Sequence, residues 1–176
     1  EPYQPHRRGF DEVFIHGAGG IGQAYNCSCA DVPRNSYFNP IVRHNTVFRQ
    51  THGFCTDVFF TAAFDWIDAT ATADRPFFAY IAPNAPHGPY LAPPEWKRRF
   101  LECGFSEEQA AFYGMIENID ANVGRLMSFL GDRDLLKRTI VIFMSDNGMT
   151  GGASGRPGLV LGRDKAGREM SFYNAG

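Results

Sequence analysis

Three residues of this chain have types and settings that could act on an anionic ester: Asp146, Asn147 and His87. Asp146 and Asn147 follow the apolar run Thr139-Ile140-Val141-Ile142-Phe143-Met144 and precede Gly148. A carboxylate oxygen beside a neutral amide oxygen suits a hard cation such as Ca²⁺ or Mg²⁺. In open α/β sheets, ligands collect at the carboxyl ends of strands, which is where this pair would sit. Asp-Asn-Gly also ends strands as an ordinary turn, so the triplet by itself leaves both readings open. His87 stands in Ala85-Pro86-His87-Gly88-Pro89-Tyr90, after a second apolar run, Phe77 to Ile81. The two prolines restrict the backbone around it. A held imidazole can donate to an anion or protonate a leaving oxygen. A plain loop histidine on a proline-rich surface is the alternative.

The elements that must position these residues follow from pattern. Glu12 to Ile15, Phe77 to Ile81 and Thr139 to Met144 read as strands, the last a continuous apolar run of the kind covered on both faces. Asp57 to Ala69 reads as a helix with Thr56 as N-cap and Phe59, Ala62, Ala63, Trp66 and Ile67 on one face. Pro94 suits the first turn of a short helix through Trp96 and Phe100. A longer helix follows Ser106, where Ser106-Glu107-Glu108-Gln109 fits a capping box. Its core face is expected to carry Phe112, Met115, Ile116, Ile119, Val123, Leu126, Met127 and Leu130, and Gly131 stands where a helix end favours glycine. Tyr25 to Gln50 reads as irregular, and from Gly148 onward the chain reads as a long loop. The order of elements predicts an α/β layer architecture with a mostly parallel sheet flanked by helices. Three strands are few for such a sheet, so the chain is expected to be an internal portion of one catalytic domain, with all of 1–176 inside it.

Several function classes are disfavoured. The chain has 176 residues, with 17 Lys+Arg against 19 Asp+Glu, so no basic field for nucleic acid is implied. No apolar run is long enough to cross a bilayer. Cys27-Ser28-Cys29, with Cys55 and Cys103 far off, lacks the spacing of a zinc or redox site. Gly17-Ala18-Gly19-Gly20-Ile21-Gly22 matches the dinucleotide fingerprint in its glycines only. A poor helix sequence follows it, and Tyr37 to Ile41 holds no carboxylate about 20 residues on to bind a ribose.

Taken as an ordered set, four segments resemble the sulfatases of the alkaline phosphatase superfamily. Ala85 to Tyr90 is similar to their histidine loop, and Met115-Ile116-Glu117-Asn118-Ile119-Asp120-Ala121-Asn122-Val123-Gly124-Arg125-Leu126 to their long helix. Thr139 to Gly148 resembles their metal-ligand strand and turn. Arg8-Gly9-Phe10-Asp11-Glu12 resembles the segment that follows their first half-site. Order and spacing agree across most of the chain.

The resemblance implies an alkaline-phosphatase-like sandwich and metal-dependent hydrolysis of sulfate esters, small or glycan-borne. Asp146 and Asn147 would be metal ligands, with Ca²⁺ the expected ion, and His87 would contact the sulfate and assist the leaving group. The family's nucleophile is a formylglycine made within Cys/Ser-x-Pro-x-Arg. No cysteine here fits that pattern, so the nucleophile is expected outside this chain, with the remaining metal ligands. Two ligands are too few to hold a cation, so the chain alone is expected to be inactive. Glu117, Asp120, Asp57 and Asp65 read as structural polar groups, and His16, His44 and His52 receive no role. A phosphate or phosphonate ester hydrolase of the same superfamily, and a non-catalytic relative, are the alternatives. The resemblance also implies an extracytoplasmic location, periplasmic or secreted.

Overall fold

The computed structural model describes residues 4–17, 20–21, 30, 32–73 and 75–146. A 3₁₀ turn at Pro5–Arg7 leads into β1 (Phe14–Ile15), β2 (Ile41–His44), β3 (Val47–Gln50), α1 (Cys55–Thr72), α2 (Pro94–Glu102) and α3 (Glu107–Asp132), and a last 3₁₀ turn lies at Leu136–Arg138.

The sheet is antiparallel, in the order β1-β2-β3, with Phe14 opposite His44 and Ile41 opposite Gln50. The β2–β3 hairpin corrects the expectation of irregular chain up to Gln50. Ile41-Val42-Arg43-His44 and Val47-Phe48-Arg49-Gln50 are joined by Asn45-Thr46, and Asn45 takes φ 52°. A two-residue hairpin turn needs such left-handed backbone, which Asn tolerates. Asn45 also ties the hairpin to the strand before it. Its side-chain oxygen accepts the Val13 N–H at 2.9 Å, and its own N–H donates to the Val13 carbonyl at 2.6 Å. Beside it, the Glu12 carboxylate pairs with His44.

The runs expected to build a parallel sheet are not hydrogen-bonded into strands among the described residues. Residues 77–81 still alternate as a strand would. Phe77 and Ala79 pack on Ile67, Leu130 and Leu135, while Phe78 and Tyr80 point outward, each 73% exposed. In 139–144, Ile140, Ile142, Phe143 and Met144 are all more than three-quarters exposed. A two-face strand needs a neighbour and a cover on each side, and the described residues supply neither for this run.

The helices follow the pattern more closely than their ends do. α1 starts at Cys55, with Phe54 as N-cap and no side-chain cap, so Thr56 lies inside the first turn. The Cys55 N–H donates instead to the Tyr37 carbonyl at 2.7 Å, which satisfies an orphan donor of that turn through backbone. Pro94 opens α2 as expected, and both bonds of the Ser106–Gln109 capping box open α3. α3 runs past Gly131, and the left-handed residue that ends it is Asp134, φ 55°. The Leu135 N–H reaches back to the Leu130 carbonyl at 2.9 Å, as in a Schellman closure.

The core face of α3 also differs from the expectation. Ile116 and Met127 are 40% and 37% exposed, and Asn118 and Asn122 are buried in their place. Both amides donate to Asp57 Oδ1, at 3.0 and 2.7 Å, and Arg125 donates to Asn122 Oδ1 at 2.7 Å. α1 thus crosses α3 through a satisfied polar contact, which a buried amide requires. Asp57 keeps its structural reading, and Glu117 is tied to Arg99 of α2 at 3.0 Å.

α2 meets α3 at Gly114. A methyl group there would stand 2.9 Å from the Trp96 carbonyl oxygen and 3.2 Å from the Ala92 methyl. Backbone cannot yield as a flexible side chain would. Gly114→Ala is therefore expected to lower the urea midpoint by the equivalent of about 1–3 kcal/mol. An unchanged midpoint would show that the two helices can separate freely.

Candidate functional site

His87 is placed by three separate segments. Ala85, buried, anchors its loop in a core of Ile21, Tyr37, Phe54, Cys55, Ala92 and Met115. The His87 N–H donates to the Asn84 carbonyl at 2.9 Å, closing a turn, and the bonds before Pro86 and Pro89 are cis. The His87 carbonyl accepts the Tyr37 hydroxyl at 2.7 Å. On the ring, Nδ1 lies 2.9 Å from the Gly88 carbonyl oxygen. A carbonyl only accepts, so Nδ1 carries the proton in that contact. Nε2 is left as the atom that can meet a ligand, and the side chain is exposed. When the ring is neutral Nε2 accepts; when it is protonated Nε2 donates.

Gly20 closes the opposite side. A methyl on it would fall 1.9 Å from the Gly88 carbonyl oxygen and 2.6 Å from His87 Nδ1. Gly20, which falls on an x position of the Gly-x-Gly-x-x-Gly pattern, permits close approach of backbone to the histidine loop. Tyr37 and Gly20 were not legible as site residues. Tyr37 sits in a stretch without period, and the Gly20 partner lies far along the chain.

Beyond His87 the loop borders an open groove of about 750 Å³ lined by Phe38, Pro89, Tyr90, Leu91, Lys97 and Glu107 among others. Its cation is already engaged, because Lys97 Nζ lies 2.9 Å from Glu107 Oε2. Glu108 adds a second carboxylate to the lining. The surface is thus part aromatic and part acidic, able to meet apolar ring faces and hydroxyl groups rather than a second anion.

Asp146 is exposed at the end of the 139–144 run, and Asn147 lies outside the described residues, as do Cys27 and Cys29. Among the described residues no three His, Cys, Asp or Glu side chains gather to hold a metal ion. The donor types of Asp146 and Asn147 fit a hard cation, and their number falls short of the six to eight oxygens Ca²⁺ takes, roughly. Burial pushes the Cys55 thiol up to about 12, which leaves it protonated and inert.

Comparison with known proteins gives one consistent answer. The sequence model of the family described as Sulfatase matches residues 2–169. The uncharacterized sulfatase YdeN of Escherichia coli K12 is 31% identical over 150 residues, covering 84% of this chain and 24% of that protein. N-acetylgalactosamine-6-sulfatase of Canis lupus familiaris is 31% identical over 151 residues, covering 83% of this chain and 27% of that protein. The crystal structure of Ps i-CgsB in complex with k-i-k-neocarrahexaose superposes with a TM-score of 0.71 at 25% identity, over 84% of this chain and 34% of that one. The chain spans about a quarter of the length of these curated relatives.

Proposed function

The chain belongs to the sulfatase family, and from that premise we propose that it forms part of the catalytic domain of a metal-dependent sulfuric ester hydrolase. The observation that carries the reading is the held imidazole of His87, with Nδ1 committed to the Gly88 carbonyl and Nε2 free to face a ligand. In the proposed reaction His87, protonated, donates from Nε2 to the sulfate ester and then to the departing oxygen, which avoids expelling a bare alkoxide. Asp146 and Asn147 would hold a divalent cation, Ca²⁺ in this proposal, together with ligands from the rest of the longer polypeptide. The cation, when bound, supplies Lewis-acid polarisation of the sulfate oxygens. The nucleophile in this reading is a formylglycine outside the chain.

The same reading extends to the fold. Residues 77–81 and 139–144 would pair as parallel strands inside an alkaline-phosphatase-like sandwich once the remaining polypeptide covers them. Their exposed Phe78, Tyr80, Ile142 and Phe143 support it, since an apolar surface this extensive marks a contact face. The proposed substrate is a sulfated sugar whose leaving portion lies in the groove beside Tyr90, and the neocarrahexaose bound by Ps i-CgsB supports that class. Among the described residues no helix is long and apolar enough to cross a membrane. An extracytoplasmic location is part of the proposal.

The test is hydrolysis of nitrophenyl sulfate and nitrophenyl phosphate by the full-length protein, with and without a chelator. Sulfate cleavage that the chelator stops is the expected result. Preference for the phosphate ester would move the protein to the phosphoesterases of the superfamily. Cleavage of neither ester, in protein carrying a modified nucleophile, would overturn the enzyme reading.

A further inference from the structure

We propose that Tyr37 is a positioning residue for His87: its buried phenol, by donating to the His87 carbonyl, fixes where the imidazole stands and which nitrogen it presents. The proposal rests on His87 being the group that meets the ester.

The phenol is itself immobile. Tyr37 is fully buried, and its ring stacks on Phe54 at a centroid distance of 5.9 Å. Its carbonyl is bound by the Cys55 N–H at 2.7 Å, so the residue is tied to the start of α1 at both ends. Burial pushes the phenol far above its usual range, and the backbone of Ile21 hydrogen-bonds to it as well. It therefore stays a donor at every working pH. Its proton goes to the His87 carbonyl at 2.7 Å, across 50 residues of sequence.

That bond acts on the ring through the backbone. The phenol fixes the plane of the peptide between His87 and Gly88. The Gly88 carbonyl lies in the next peptide, hinged on the same Gly88 Cα, so fixing the first plane restricts where that carbonyl stands, and it is what takes the Nδ1 proton at 2.9 Å. Gly20 blocks the other escape, since the space beside Gly88 and Nδ1 is too close to admit even a methyl group. The arrangement matches the general requirement that the second nitrogen of a working histidine be held by a fixed acceptor. Without the Tyr37 hydroxyl, the His87 carbonyl loses its buried donor and the peptide is free to turn.

Tyr37→Phe keeps the ring and its stacking and removes only the donor. In the full-length protein it is expected to lower kcat about 10- to 100-fold on a sulfate ester with a poor leaving group, the size of effect a misplaced catalytic group produces. The loss on nitrophenyl sulfate should be much smaller and KM little changed. In a His87→Ala background the same substitution should alter turnover by no more than about twofold, because the two residues act as one unit. Equal losses on both esters, or an undiminished loss in the His87→Ala background, would overturn the proposal in favour of a purely structural tyrosine. Ring-nitrogen chemical shifts of His87 provide a readout free of turnover. The expected result is a single Nδ1–H tautomer in the wild type and a mixture in Tyr37→Phe. Unchanged shifts would overturn the clamp even in a protein that cleaves no sulfate ester, an inactivity that would itself count only against the enzyme reading.

Discussion

Asp146→Ala, made in the full-length protein, is expected to abolish sulfate ester hydrolysis, with kcat/KM falling by roughly 10³-fold or more, the scale on which transition-state charge stabilisation is lost. The side chain ends an exposed segment whose apolar residues are not packed in the described part of the molecule. A carboxylate at the end of that run contributes no apolar packing of its own, so its removal deletes an anionic ligand without opening a core. Folding should be little changed, with a urea midpoint within about 0.5 kcal/mol equivalent of the wild type. Cation binding should weaken in step with activity, and calorimetric titration of the metal-free protein with Ca²⁺ measures that directly. Asp146→Asn keeps an oxygen donor and loses the charge, so it should retain weak binding. Full activity of the alanine variant would remove Asp146 from the cation site. Lost activity with undiminished Ca²⁺ affinity would move it from metal ligand to substrate contact.

The second large effect is on His87. His87→Ala is expected to lower turnover about 10²- to 10⁴-fold on esters with poor leaving groups, the usual contribution of a positioned general acid. On nitrophenyl sulfate the loss should be about tenfold or less, since a phenolate of low basicity departs without a proton and only the contact with sulfate is forfeited. A series of sulfate esters of graded leaving-group pKa separates the two roles. In the variant, log kcat should fall steeply as that pKa rises; in the wild type it should be flatter. Parallel lines would leave His87 as a sulfate-binding residue alone. The exposure of His87 and the loop bonds on its backbone make a folding defect a poor rival explanation.

The helices show how far pattern carries. The capping box at Ser106 and the proline opening α2 are local devices, made by residues a few positions apart, and they are realised where the sequence puts them. The core face of α3 is not local in this sense. Ile116 and Met127 are more apolar than Asn118 and Asn122, and hydrophobicity alone assigns them inward. The asparagines are buried because Asp57, about sixty residues earlier, meets them there. A polar group becomes a core residue once its partner is supplied, and nothing near Asn118 in the sequence announces that partner. The hairpin of β2 and β3 was hidden for a different reason. Its turn residues are Asn-Thr rather than the stronger Asn-Gly signal, and β3 has no buried face to give it a period.

For the site, the sequence by itself determined the chemistry on offer: a histidine between two prolines, an aspartate and asparagine after an apolar run, and a family resemblance carried by their order. Those are statements about residue type and spacing, which a linear chain holds in full. Only the tertiary structure decided what holds the histidine. The Tyr37 hydroxyl and the close approach of Gly20 come from segments 50 and 67 residues away from His87. A hydrogen bond depends on a distance of about 3 Å in space, and separation along the chain does not encode that distance until the core around Ala85 and Cys55 has closed.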